Sequence, residues 1–266
     1  MHKFSFKIFQ NIKDCDIKKV ITFTYPPKGV DTGLIFALER KIAELKSFGI
    51  DEIITLDFEK VKNLSPVDFF SEYILKNSAT KVSVGFNFRF GKGAVGDSGS
   101  LCTFCKNSNI ICHIIEPVIA EGIPISSSHI RQLLNNGEIA KANSFLPLGF
   151  SFTGEVIHGD KRGRTIGFPT INQLYPSELC RIQNGVYKTI TVIDNKKYNS
   201  ISNIGLRPTY KVNEVLCETH IPGFSGDVYG KCVTIMPVEF IRGEKKFNSI
   251  EDLKIGIAED LNNIRS

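Results

Sequence analysis

Between residues 159 and 172 the chain reads Gly159-Asp160-Lys161-Arg162-Gly163-Arg164-Thr165-Ile166-Gly167-Phe168-Pro169-Thr170-Ile171-Asn172, with three glycines and three cations inside nine residues. Glycines let backbone amides approach a polyphosphate, and the cations offset its charge. No Gly-Lys-Ser/Thr triplet ends the stretch, so it is not a P-loop, and composition alone describes a basic hairpin turn equally well. Thr170 and Asn172 stand two apart, so in an extended segment their oxygens project to one face. Mg²⁺ often takes only one or two protein oxygens beside substrate phosphates, a demand this pair suits. Pro169 stiffens the approach. Farther along, 216–221 alternates like a strand and puts Glu218 and His220 on a common face. A carboxylate there can orient an acceptor hydroxyl and take its proton in a phosphoryl transfer; the plainer alternative is a solvated strand carboxylate.

The elements that must hold these groups differ between the two halves. Up to residue 145, β-branched runs alternate with helical spacing. Strands are predicted at 20–24, 52–56, 81–85 and 110–115. A helix over 31–48 carries Ile35, Leu38, Ile42 and Leu45 and is closed by Gly49, and a second helix spans 66–76. This order predicts a parallel, doubly wound α/β sheet. After 145–149 the texture changes. Segments 151–157, 185–193, 197–204, 215–221 and 231–240 read as strands with Gly, Asn and Asp turns, which predicts an antiparallel barrel. A terminal helix opens at 248–251, with Leu253, Ile257, Leu261 and Ile264 on its inner face. The boundary falls near 148, giving domains 1–147 and 148–266.

Bulk properties narrow the function classes. The net charge is +5, with Lys and Arg spread among 28 acids rather than gathered in a stripe, so a nucleic-acid partner is not expected. No apolar run approaches the ~18 residues of a membrane span, and residues 1–9 do not read as a secretory segment. Neither a membrane nor a secretory route is expected. The seven cysteines are scattered, and the tight pair Cys102-x-x-Cys105 has no second pair at zinc-ribbon spacing. Reduced thiols and a cytoplasmic address are the expectation. The oligomeric state has no signature in the sequence.

Six motifs in order over the second half resemble the riboflavin kinase family. They are Gly154-Glu155-Val156-Ile157-His158-Gly159 running through to Asn172; Asn184-Gly185-Val186-Tyr187; Ser202-Asn203-Ile204-Gly205-Leu206-Arg207-Pro208-Thr209; Glu218-Thr219-His220-Ile221; Asp227-Val228-Tyr229-Gly230; and 241–249. The resemblance implies a Greek-key barrel that moves the γ-phosphoryl group of ATP onto riboflavin to give FMN. In it Gly159, Arg164, Gly167 and Thr170 contact ATP, Thr170 and Asn172 hold Mg²⁺, and Glu218 is the catalytic group at the flavin 5′-hydroxyl. Arg242, Phe247 and Ser249 border the isoalloxazine side. Ile171 stands where the family usually has Ala. A non-catalytic flavin- or nucleotide-binding protein is the alternative, and an RNA-binding barrel a third, lacking aromatics interleaved on a basic face.

The first half is similar to the nucleotidyltransferase-like Rossmann domain of the bacterial bifunctional riboflavin kinase/FAD synthetases, which adenylylates FMN to FAD. Residues 84–93 resemble its G-x-D-F-R-F-G segment with Asn87 in place of Asp, and 126–131 resemble S-S-T-x-I-R through Ser127, Ser128 and Arg131. Hydroxyls at a helix N-terminus favour phosphate, though a Ser cap beside a surface Arg reads the same way. The family's G-x-F-D-G-x-H-x-G-H motif, whose imidazoles stabilise charge at the α-phosphoryl group, has no full counterpart. His2 matches the first His, but Phe4 matches its Gly and Ser5 its second His, and the preceding strand is missing. Thr24-Tyr25-Pro26-Pro27 also departs from the family pattern. A start placed about 20 residues too late accounts for the strand; a half decayed into a support is the other reading. Either way the resemblance implies weak or absent adenylyl transfer in this chain.

Overall fold

The computed structural model describes residues 12, 14–25, 32–159, 162–207 and 214–265. They gather into two compact units, Met1–Ser127 and Ser128–Ser266. Among the described residues no helix is long and apolar enough to cross a membrane.

In the first unit β1 (Lys19–Phe23) and β2 (Glu52–Leu56) pair in parallel, with Lys19 opposite Glu52. Parallel neighbours need a crossover, and α1 (Leu38–Ser47) supplies it. Gly49 at φ +78° ends that helix, letting the Ile50 amide reach back to the Leu45 carbonyl. Helix α2 (Pro66–Phe70) starts on Ser65, whose hydroxyl accepts the Asp68 amide, with proline in its first turn. It runs on as a wider turn over Ser71–Leu75. Next, β3 (Lys81–Gly85) and β4 (Ile111–Ile115) make a second parallel pair joined through α3 (Ser98–Asn107). One core serves both pairs: Leu56, Phe69, Phe70, Val82, Phe90 and Leu101 are buried in it, with Ile21 and Phe23 packed alongside. Each such side chain contributes about 1.5–3 kcal/mol.

Two expectations change here. The doubly wound sheet is present as two separate parallel pairs among the described residues. His2, Phe4 and Ser5, and Pro26 and Pro27, lie outside the described residues. The expectation of reduced thiols is also corrected: Cys102 and Cys112 form a disulfide with Cα atoms 5.3 Å apart, whereas Cys105 is a buried free thiol. A helix returning into its own strand sets residues 102 and 112 side by side, while position 105 faces the core.

The second unit begins with two helices, α4 (Ser127–Asn135) and α5 (Ile139–Phe145). They group with the barrel because Asn143 ties them to it: its Nδ2 donates to the Pro237 carbonyl at 2.9 Å and its Oδ1 accepts the Phe150 amide at 2.7 Å. The change of sequence texture at 147–148 comes where the chain enters the first barrel strand. The barrel strands are β5 (Phe152–Glu155), β6 (Thr170–Leu174), β7 (Gly185–Ile193), β8 (Lys196–Arg207), β9 (Glu214–His220) and β10 (Cys232–Arg242). They form an antiparallel sheet in the order β6-β9-β8-β7-β10-β5.

Its two edges meet through Gln173, which is fully buried: Nε2 donates to the Gly154 carbonyl at 2.6 Å and the Val233 carbonyl at 2.8 Å. The Ile157 amide adds a bond to the Asn172 carbonyl at 2.8 Å. These bonds nearly close the sheet between β5 and β6. Inside, the buried hydroxyls of Thr189, Thr191, Ser200, Ser202 and Thr219 bond one another in a chain, so none is stranded in the core.

The terminal helix α6 (Ile250–Arg265) is capped by Ser249, whose hydroxyl accepts the Asp252 amide at 3.0 Å. Its inward face is the one expected, with two further positions on it. Gly256 and Asp260 are the buried positions, Leu253, Ile257 and Leu261 flank them half-buried, and Ile264 has no described side chain. Asp260 turns inward to meet Arg242.

Candidate active site

Strand β6 sets Thr170 and Asn172 on one face, and β9 sets His220 and Glu218 opposite them. Thr170 pairs with His220, and Asn172 pairs with Glu218. Direct cross-strand partners have Cα atoms about 5 Å apart and side chains on the same face. Glu218 is also opposite Asn203 on β8, Asn203 is opposite Val186 on β7, and Val186 is opposite Arg242 on β10. A single row thus crosses the outer face from Asn172 to Arg242, with the exposed Glu218 in it.

Above the Asn172 end lies a small open cleft lined by Gly159, Arg164, Pro169, Thr170, Asn172 and Tyr229. Gly159 is there because nothing larger fits: a Cβ on it would fall 2.5 Å from Asn172 Nδ2 and 2.8 Å from Oδ1. Asn172 is only 6% exposed, and its Oδ1 has no hydrogen-bond partner among the described residues. A buried carbonyl oxygen left unpaired costs about 1–3 kcal/mol. An oxygen acceptor held this way, with the Thr170 hydroxyl on the same face, fits a hard cation such as Mg²⁺.

The turn that follows is built tightly. Phe168 N donates to the Gly163 carbonyl at 2.8 Å, and a Cβ on Gly163 would meet the Phe168 carbonyl at 2.3 Å. Gly167 takes φ +90°, a backbone state that L side chains rarely adopt, with open space around it. Arg164 is exposed at the cleft. Asp160 and Lys161 lie outside the described residues. On the far wall the Tyr229 ring stacks near His158, with centroids 4.0 Å apart.

Arg242, Phe247 and Ser249 meet at the junction of β10 and α6. Arg242 grips Asp260 with two bonds, Nε to Oδ1 at 2.9 Å and Nη2 to Oδ2 at 2.7 Å, and lies over the Phe247 ring at 5.6 Å. Phe247 in turn rests on Gly256, where a Cβ would come within 2.6 Å of the ring.

In the first unit Asn87 is exposed in the turn after β3, where the Phe88 amide bonds the Gly85 carbonyl at 3.0 Å. Ser127 opens α4, Ser128 follows it exposed, and Arg131 is half-buried in the same helix, burial drawing its guanidinium below the ordinary value. Asn87 belongs to the first unit, and Ser128 and Arg131 to the second.

Sequence reasoning passed over three residues. Tyr229 and Asn203 sat in quoted motifs, but only the register shows them beside the cleft and Glu218. Lys41 lay on a helix read only for its apolar stripe. Its ammonium donates to Thr22 Oγ1 and to the Phe23 carbonyl at 3.2 Å, at the C-terminal end of β1, and burial pulls its pKa down to about 8. Ligands of open α/β sheets gather at that end of the strands.

Comparison with known proteins agrees with both units. Residues 146–266 match the family described as riboflavin kinase, and residues 10–129 match the family described as FAD synthetase. The chain is 34% identical over 231 residues to the bifunctional riboflavin kinase/FMN adenylyltransferase of Bacillus subtilis, covering 85% of this chain and 73% of that protein. It is 33% identical over 261 residues to a trifunctional protein RibF/MnmA of Mycoplasmoides gallisepticum, covering 98% of this chain but 37% of that one. A solved structure titled as a macrolide-efflux protein from Streptococcus pneumoniae superposes with a TM-score of 0.90 at 29% identity, covering all of this chain and 90% of that one. The chain belongs to the bifunctional riboflavin kinase/FMN adenylyltransferase family.

Proposed function

We propose that residues 148–266 transfer the γ-phosphoryl group of ATP to the 5′-hydroxyl of riboflavin, giving FMN and ADP, while residues 1–147 form the adenylyltransferase-like part. The observation that carries the kinase reading is the pairing of Asn172 with Glu218 across β6 and β9. Asn172 Oδ1 and the Thr170 hydroxyl face the triphosphate end, and Arg164 and the backbone near Gly159 and Gly167 take phosphate oxygens. When bound there, Mg²⁺ neutralises charge on the phosphates. Glu218 accepts the proton of the 5′-hydroxyl as its oxygen attacks the γ-phosphorus and the bond to ADP breaks. Arg242, held by Asp260, and Phe247 sit farther along the same row, on the flavin side, with Ser249 fixing the helix behind them.

A non-catalytic flavin- or nucleotide-binding protein has no use for a carboxylate opposite the cation-binding oxygens. The partners in this reading are small molecules, and the need for ATP places the work in the cytoplasm. For the adenylyltransferase part, Asn87, Ser127, Ser128 and Arg131 supply polar groups, but Ser5 stands where the second imidazole is expected. FAD formation is therefore slow in this chain.

Incubating the full chain with riboflavin, ATP and Mg²⁺, then separating flavins by chromatography, reads both activities at once. FMN accumulates with little FAD. No FMN at any Mg²⁺ concentration overturns the kinase reading, and rapid FAD formation overturns the second part.

A further inference from the structure

The turn that carries Gly163, Arg164 and Thr170 and the strand that carries Glu218 are different segments, and phosphoryl transfer needs them at a fixed separation. The backbone ladder holds Thr170 but does not extend into the rest of the turn. Thr170 pairs with His220 and Asn172 with Glu218, so the same register, continued past Thr170, would set Pro169 opposite Ile221 and Phe168 opposite Pro222, and each of those pairs contains one proline with no N–H to donate. The pairing stops where the turn begins. What bridges the gap is the His220 side chain: its Nδ1 lies 2.8 Å from the Pro169 carbonyl. The Phe168 ring meets the imidazole edge-on, with centroids 5.6 Å apart and planes at 81°. The Phe168 amide, in turn, closes the turn onto Gly163. One imidazole therefore holds the base of the phosphate-facing turn from the strand two residues beyond Glu218.

A carbonyl only accepts, so Nδ1 is the donor in this bond.

We propose that His220 is a positioning residue for the phosphoryl transfer, holding the 163–170 turn at working distance from Glu218. The inference rests on the kinase reading above. It separates two contacts that substitution can remove singly. His220→Asn keeps a donor at the δ position and loses the ring. His220→Phe keeps the ring against Phe168 and loses the donor. His220→Ala loses both and introduces no new bulk.

The test is steady-state FMN formation by the full chain, with ATP and riboflavin varied separately and thermal melting measured on every variant. A misplacement of about 1 Å costs on the order of 100-fold in rate, so kcat/KM for ATP falls by about that factor in His220→Phe and His220→Ala. His220→Asn restores it to within a few-fold of wild type, and the KM for riboflavin stays put in all three. Melting temperatures close to wild type accompany these losses. Wild-type kcat/KM in His220→Ala with wild-type activity intact overturns the inference alone. Equal losses in the Asn and Phe variants, or losses that track lowered melting, do the same by making His220 a packing residue. A wild-type chain that makes no FMN removes the kinase reading and this inference together.

Discussion

Asn172 and Glu218 are direct partners across β6 and β9, one buried with a carbonyl oxygen unpaired among the described residues and the other exposed on the same face. In the kinase reading the first is the cation and phosphate side, the second the acceptor side. Only a shared row could bring them so close, because Glu218 lies 46 residues later in the chain.

Glu218→Gln keeps the shape and hydrogen-bonding reach of the side chain but removes its basicity. A positioned general base is worth about 10²–10⁴-fold. We expect FMN formation to drop within that range while riboflavin fluorescence quenching on binding changes by less than a few-fold. Turnover near wild type in this variant rules Glu218 out as the base.

Gly159→Ala tests the other partner. The added methyl has no room beside the Asn172 amide, so the amide must rotate or the strand must give. If Asn172 Oδ1 holds Mg²⁺, the Mg²⁺ concentration for half-maximal FMN formation rises by roughly tenfold, a loss of about 1.4 kcal/mol. Flavin binding without nucleotide is unaffected. An unchanged Mg²⁺ dependence shows that this oxygen has some other use.

Strands over 52–56, 81–85 and 185–193 were legible because alternating or β-branched runs leave a local trace, and the structure has them at those positions. Helix α3 left little trace. Its sequence is rich in Ser and Gly, and it depends on Asp97, whose side chain accepts the Ser100 amide while Ser100 Oγ returns a bond to the Asp97 amide. For the site, period-two spacing showed that Thr170 shares a face with Asn172, and Glu218 with His220. It could not show which pair faces which, since register depends on distant strands. The inner face of α6 was legible as an apolar stripe, but the buried Asp260 on it is visible only with its arginine.

Asp260→Asn probes that arginine. Asp260 is nearly buried and holds Arg242 by two charge-assisted bonds. Neutralising it leaves a half-buried guanidinium without its counter-charge, which costs about 1–3 kcal/mol. Urea unfolding followed in the barrel should show that loss, and Arg242→Met with Asp260→Leu together should recover much of it. A double variant as unstable as the single one would mean that the pair does more than satisfy itself.

Lys41 gives the first unit a pH signature. Burial lowers its pKa from 10.5 to about 8 in the folded chain. Between those two values the unfolded chain binds the proton more readily than the folded one, so stability rises with pH across that window. Below about 8 the ammonium is charged in both states and the penalty of burying it is constant; above 10.5 it is neutral in both and the penalty is gone. Lys41→Met removes the group, so the stability difference between wild type and variant should climb in favour of wild type from pH 8 to pH 10. Urea unfolding at four or five pH values measures it, and parallel curves for the two proteins would show that the ammonium is solvated after all. The hydrogen bonds from Lys41 to Thr22 and the Phe23 carbonyl are lost at every pH. They belong to the titrating nitrogen itself, so their loss is read within the same pH-dependent difference.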